Sequence, residues 1–128
     1  MTRETALTDL HPPLGHYSHS VSIPAGSRIL ITAGQVAVHP DGSISDRLDE
    51  QCSEVWRSIA TILARDGLSI SDVAHVRGYI VDPNGVGVYG RAMAVALGPH
   101  RPASTLVTVA ALASPTFLVE IEVTAFSS

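Results

Sequence analysis

The chain has few charged residues and a single cysteine. Charged residues make up 16% of its 128 residues, whereas hydrophobic residues make up 45%. A domain this small exposes much of its surface, and too few charges are available to cover that surface. We therefore expect a second surface to be buried against other copies of the chain. Because Cys52 is the only cysteine, an intrachain disulfide is excluded.

The sequence also lacks the features of several functional classes. Eight Lys and Arg against twelve Asp and Glu give a net charge of −4, which argues against nucleic-acid binding because that function needs a basic surface. No apolar run approaches the roughly 20 residues that span a bilayer. The opening segment MTRETALTDL lacks the apolar core of a signal peptide. We expect one cytoplasmic domain over residues 1–128, with residues 1–14 as an N-terminal arm and no contact with membrane or nucleic acid.

The hydrophobic pattern predicts an α+β fold in which two helices pack on one face of a single mixed sheet. The first helix is expected to begin after Asp46 as N-cap and to stop before Gly67. The second helix is expected over Val86–Leu97. The predicted strands are Tyr17–Ile23, Arg28–Ala33, Val73–Val81, Ser104–Ala111 and Phe117–Phe126.

The last predicted strand distinguishes the two faces of the sheet. Every second residue is apolar, and this set suits packing under the helices: Phe117, Val119, Ile121, Val123 and Ala125. The opposite face mixes apolar residues with Glu120 and Glu122. A partly apolar second face is expected to pack against another sheet, which would place Glu120 near a contact between subunits.

Four short motifs carry a resemblance to a known family: LGHYSH at 14–19, TAGQV at 32–36, RPASTL at 101–106 and VEIE at 119–122. In this order and spacing they resemble the Rid family, also called YjgF/RidA. The resemblance implies a chorismate-mutase-like fold and a homotrimer with a central β-barrel and clefts between subunits. It further implies hydrolysis of reactive imines or enamines, a deaminase-like reaction, with no cofactor and no metal.

The resemblance also implies roles for particular residues. Tyr17 and Glu120 match the family's catalytic Tyr and Glu, and Glu120 would position or deprotonate water. Gly34 matches a glycine whose backbone lines the cleft, and Ala33 stands where the family often has Ser.

One motif departs from the family pattern at the position that binds the substrate carboxylate. The family has P-A-R-S/T, whereas this chain has Pro102-Ala103-Ser104-Thr105. Ser104 therefore replaces the Arg, and Gly90 replaces a family Asn. Without that bidentate partner, the resemblance implies a substrate other than 2-iminopropanoate, bound by Ser104 and Thr105. Arg101 is the nearest alternative cation.

Other interpretations stay open at this point. A trimer that kept the fold could bind a ligand or act as a chaperone without catalysis. An endoribonuclease is disfavoured by the negative charge and the few aromatic residues. The three histidines His11, His16 and His19 lack neighbouring Cys or carboxylate ligands, so a metal site is not predicted. Cys52 is expected to be an inert core thiol.

Overall fold

A computed structural model describes residues 3–4 and 9–127, in which two α-helices cover one face of a four-stranded sheet. The helices are α1 (Leu48–Arg65) and α2 (Val86–Leu97), and the strands are β1 (Arg3–Glu4), β2 (Val21–Ser22), β3 (Arg28–Ile31), β4 (Val73–Ile80), β5 (Ala103–Thr108) and β6 (Val119–Ser127). The sheet order is β3-β6-β4-β5, in which only β4 and β5 are parallel. The predicted mixed sheet with two helices on one face is confirmed.

Helix α1 forms because its apolar residues recur at helical spacing on one stripe. Those residues are fully or almost fully buried: Cys52, Val55, Trp56, Ile59 and Leu63. The predicted N-cap Asp46 is wrong, since Arg47 occupies that position and its side chain makes no capping hydrogen bond. Asp49 and Glu50 in the first turn compensate, because negative charge is favoured at a helix N-terminus.

Helix α2 has the predicted bounds, although it contains two glycines. It buries Tyr89, Met93 and Leu97 against the sheet. The phenol of Tyr89 lies directly on Gly78 of β4, where a Cβ atom would be only 2.0 Å from the Tyr89 Oη. Gly78 therefore allows α2 to approach the sheet closely.

Strand β6 is central, and its predicted alternation is confirmed from Val119 to Ala125; the strand begins two residues after the predicted Phe117, and Phe126 is buried (1% exposed) like its neighbour Ala125. Val119, Ile121, Val123 and Ala125 are buried under the helices, whereas Glu120 and Glu122 are half-buried on the other face. We call that other face the open face of the sheet. No helix formed by the described residues is long and apolar enough to cross a membrane.

The N-terminal part of the chain departs most from the predicted elements. The expected strand Tyr17–Ile23 reduces to Val21–Ser22, which pairs with Arg3–Glu4 of the predicted arm, while residues 1–2 and 5–8 of that arm lie outside the described residues. Ahead of β2, Ser18 forms an isolated parallel bridge to Ala103. How much of this segment forms a strand therefore depends on which part of the chain pairs with it, and not on its alternation of polar and apolar residues.

Strand β3 ends at Ile31, before the predicted Ala33, because the chain then bulges. Ile31 is paired with Thr124, whereas Gln35 is paired with Ile121. The four steps from Ile31 to Gln35 thus lie opposite only three steps from Thr124 to Ile121, which defines a β-bulge. The Thr32 hydroxyl accepts a hydrogen bond from the Val123 N–H at this point (3.0 Å). The extra residue falls in the Thr32–Gln35 segment, which includes Gly34.

Candidate functional site

Glu120 and Gly34 are brought into direct contact by the bulge. A Cβ atom on Gly34 would lie 2.0 Å from Oε2 of Glu120 and 2.7 Å from its Cδ. The carboxylate therefore rests on the Gly34 backbone, in space that any other residue would fill. Mutual hydrogen bonds between Gln35 and Ile121 (2.8 and 3.1 Å) fix the two segments beside it.

The Glu120 carboxylate itself has no hydrogen bond to any residue of the described chain, although it is half-buried. A carboxylate accepts several hydrogen bonds when it is ionised. Its acceptor capacity is thus available to water or to a ligand at the open face.

A second polar pair on the open face was not predicted from the sequence. The Tyr79 hydroxyl donates to Oε1 of Glu122 (2.6 Å), and this hydrogen bond is the main reason why the pKa of Tyr79 is raised. The β4–β6 register also places Tyr79 directly opposite Glu120. Along β4, His75, Arg77 and Tyr79 alternate with buried residues. This alternation, which is visible in the sequence, could have predicted that the three side chains share one face of the sheet.

Ser104 and Thr105 lie on opposite faces of the sheet, because neighbouring strand residues alternate. Thr105 is exposed and pairs with Arg77 on the open face. Ser104 pairs with buried Val76, and its hydroxyl contacts the Met93 sulfur of α2 (3.7 Å). The two predicted substrate-binding residues therefore face different surroundings within one protomer.

Tyr17 and Arg101 lie together beyond the edge strand β5. The Tyr17 hydroxyl accepts a hydrogen bond from the Leu14 N–H (3.1 Å), and Nη1 of Arg101 lies 3.5 Å from the Gly15 carbonyl oxygen. Ser18 donates from its N–H to the Pro102 carbonyl (3.0 Å) and from its hydroxyl to the Arg101 carbonyl (2.5 Å). These bonds attach the Tyr17 loop to the start of β5.

The predicted catalytic residues are far apart within one protomer. The Ser18 segment lies next to Ala103 of β5, whereas Glu120 lies opposite Tyr79, which itself pairs with Val107. Three strand spacings across and four residues along place the Ser18 and Glu120 backbones about 20 Å apart. This backbone separation is greater than the length of a small imine, which argues against one such ligand contacting Tyr17 and Glu120 of the same protomer.

The histidines of the N-terminal segment contact backbone carbonyls. Nε2 of His16 lies 3.0 Å from the His100 carbonyl oxygen, and Nε2 of His19 lies 2.7 Å from the His11 carbonyl oxygen. Within the described ranges, no three His, Cys, Asp or Glu side chains are placed to hold a metal ion.

The sheet order and the two helices on one face define an α+β protein with a single mixed sheet. A family model described as Endoribonuclease L-PSP matches residues 8–127. The chain belongs to this family, which includes the Rid proteins.

Several relatives agree with that assignment. The structure of the Rid-family protein YyfB from Yersinia pestis has a TM-score of 0.88 and 30% identity, and the match covers 97% of each chain. RidA from an Antarctic Psychrobacter species has a TM-score of 0.74 and 27% identity, over 98% of this chain and 100% of that one. Protein HMF1 of Saccharomyces cerevisiae is 29% identical over 75% of this chain and 73% of its own length.

Proposed function

We propose that this protein is a cytoplasmic small-molecule hydrolase that acts on a reactive imine or enamine in clefts between copies of the chain. The observation that carries this proposal is the Glu120 carboxylate, which rests on the Gly34 backbone without a hydrogen-bond partner in the described chain. A half-buried carboxylate with free acceptor capacity is suited to position or deprotonate water.

The open face of the sheet supports association with other copies. Three large apolar residues on this face are exposed: Ile29 (52%), Ile31 (72%) and Val107 (43%). Burying such a patch against the same face of other copies removes apolar surface from water. In a closed homotrimer around a central barrel, every copy would bury this apolar patch in the same way.

Association would also complete the site. Since the backbones of Ser18, next to Tyr17, and of Glu120 are about 20 Å apart in one protomer, a cleft that uses both side chains would take Tyr17 from one copy and Glu120 from the next. The cleft would then be lined by Ala33 and Gly34 on the Glu120 side and by residues near Arg101 on the Tyr17 side.

The reaction consumes one water and needs no redox partner. Glu120 accepts a proton from water as the water oxygen bonds to the imine carbon, and that proton passes to the nitrogen. The hydroxyl proton of the resulting carbinolamine then passes through Glu120 to the amino nitrogen as the C–N bond breaks and the C=O bond forms, which releases ammonia and a carbonyl compound. General-base catalysis of this kind contributes about 10²–10⁴-fold in rate.

The substrate proposed for this site lacks the α-carboxylate. Ser104 has no positive charge, and its hydroxyl already contacts the Met93 sulfur. Arg101 is directed toward the Gly15 carbonyl. Because Ser104 and Thr105 face opposite sides of the sheet, only one of these two neutral hydroxyls would take the place of the bidentate cation, which favours an uncharged imine.

A comparison of two imines tests this proposal. An amino-acid oxidase generates 2-iminopropanoate, and a flavin amine oxidase generates an imine without a carboxylate. The decay of each imine is followed with and without the protein. We expect faster decay of the uncharged imine and little effect on 2-iminopropanoate. Acceleration of neither imine would favour a non-catalytic ligand-binding or chaperone-like trimer, and acceleration of 2-iminopropanoate alone would contradict the substrate assignment.

The family description raises ribonuclease activity as a second function to test. A net charge of −4 disfavours binding to a phosphate backbone. Incubation of the protein with single-stranded RNA should leave the RNA intact. If the protein cleaved RNA and the Glu120→Gln variant did not, Glu120 would be assigned to RNA cleavage instead of imine hydrolysis.

A further inference from the structure

The outer surface of the helix layer carries a groove between α1 and α2. Its volume is about 820 Å³, within the range of small-molecule binding sites. The groove lies on the helices, whereas the association proposed above uses the open face of the sheet. It therefore stays accessible in the proposed trimer and is separate from the Glu120 site.

The floor and one wall of the groove are apolar. Trp56 is 5% exposed at the floor, and its indole N–H is buried without an acceptor in the described chain. Val95 lies on the wall and is 85% exposed, which is unusual for a large apolar side chain in a helix.

The rim of the groove is basic, although the chain as a whole is acidic. Arg47, Arg57 and Arg91 line it, against a single acidic residue, Asp49. Arg47 pairs with Asp49 (2.8 Å), and Arg57 approaches Glu54 (3.4 Å).

Arg91 differs from the other two arginines, because it forms no ion pair with any described residue. Its Nη1 atom lies 3.4 Å from the point where Gly87 would carry a Cβ. The guanidinium thus lies back along α2, beside the groove, with its donors available.

We propose that this groove binds a small organic anion with an apolar body, such as an aliphatic carboxylate. The carboxylate binds the Arg91 guanidinium, and the apolar body lies on Trp56 and Val95. The groove-lining part of α2 runs from Val88 to Ala96, which at helical rise is about 12 Å long. That length matches an extended chain of several carbons better than a compact ion.

The test uses the intrinsic fluorescence of Trp56, which is the only tryptophan of the chain. The full-length protein is titrated with octanoate, and in parallel with octylammonium, which has the same chain and the opposite charge. Isothermal calorimetry repeats the octanoate titration, so that binding without a fluorescence change is also detected. We expect saturable octanoate binding at or below about 1 mM and much weaker binding of octylammonium.

Two variants locate the binding. Arg91→Ala should weaken octanoate binding about tenfold or more, since a charge-assisted hydrogen bond is lost. Arg65→Ala, an exposed arginine at the end of α1 outside the groove, is the matched control and should bind like the parent. Circular dichroism confirms that both variants are folded. The proposal is overturned if neither method detects saturable octanoate binding, if octylammonium binds equally well, or if the two variants behave alike.

Discussion

Replacing Gly34 or Gly78 by alanine should affect stability very differently, although the added methyl group would meet an equally close neighbour at both positions. A Cβ on Gly34 would lie 2.0 Å from Glu120 Oε2, and a Cβ on Gly78 would lie 2.0 Å from Tyr89 Oη. Neither glycine has a positive φ, so alanine fits both backbones. At Gly34 the obstacle is the end of a flexible side chain, which can rotate away. At Gly78 the obstacle is a buried ring, 2% exposed, that cannot.

Gly78→Ala should therefore destabilise the fold by about 1–3 kcal/mol, as overpacking does. For a chain of 128 residues this lowers the melting temperature by about 4–11 °C. Gly34→Ala should change it by no more than about 2 °C, because the only group displaced is the flexible end of the Glu120 side chain and we expect that displacement to cost less than about 0.5 kcal/mol.

The activity of the two variants should show the opposite order. Gly34→Ala displaces the Glu120 carboxylate and should lower imine hydrolysis by about 10²-fold, while Gly78→Ala should retain turnover below its melting temperature. Thermal unfolding and the imine assay on both variants check this pair. Wild-type turnover in Gly34→Ala would refute the need for Glu120 on the Gly34 backbone. A large loss of stability there would show that the carboxylate cannot move.

Three further outcomes follow from the structure. Tyr89→Phe removes a buried hydroxyl that has no partner in the described chain and should raise the free energy of unfolding by about 1 kcal/mol, measured by urea denaturation; a decrease would reveal a hydrogen bond. Burial lowers the pKa of His75 below 6.5, so the unfolded chain binds more protons and stability should fall as the pH drops through and below 6.5. His75→Gln should flatten that loss and His11→Gln, at an exposed position, should not; equal urea profiles would contradict this. Burial raises the pKa of the Cys52 thiol to about 11, so iodoacetamide should label Cys52 only after unfolding, and rapid labelling of the native protein would contradict its burial.

The elements with strong local patterns could be predicted from the sequence. The bounds of α2 and the alternation of β6 follow from residues that are neighbours in the chain. The start of α1 was displaced by one residue, because Arg47 rather than Asp46 occupies the cap. The Gly34–Glu120 pair was expected only from the family resemblance, and the bulge that creates the contact depends on the pairing of residues about 90 positions apart.

Other parts of the site depend on tertiary pairing and could not be predicted. Tyr79 meets Glu122 only because β4 and β6 pair in one particular register. The opposite orientations of Ser104 and Thr105 follow from alternation, but which of them faces the helices is set by pairing with Val76 and Arg77. Ser18, predicted within a strand, forms a single bridge because its partner Ala103 begins the edge strand.

The central claim is that each site takes Tyr17 from one copy and Glu120 from another, and co-assembly of two variants tests it most directly. Tyr17→Phe and Glu120→Gln are each assayed alone for hydrolysis of the uncharged imine, then unfolded, mixed in equal amounts and refolded together. In a closed ring with random assembly, about one quarter of the shared sites receive both native residues. We therefore predict almost no activity for either variant alone and about one quarter of wild-type activity for the mixture. A mixture no more active than the separate variants, or either variant with wild-type activity, would contradict the shared site.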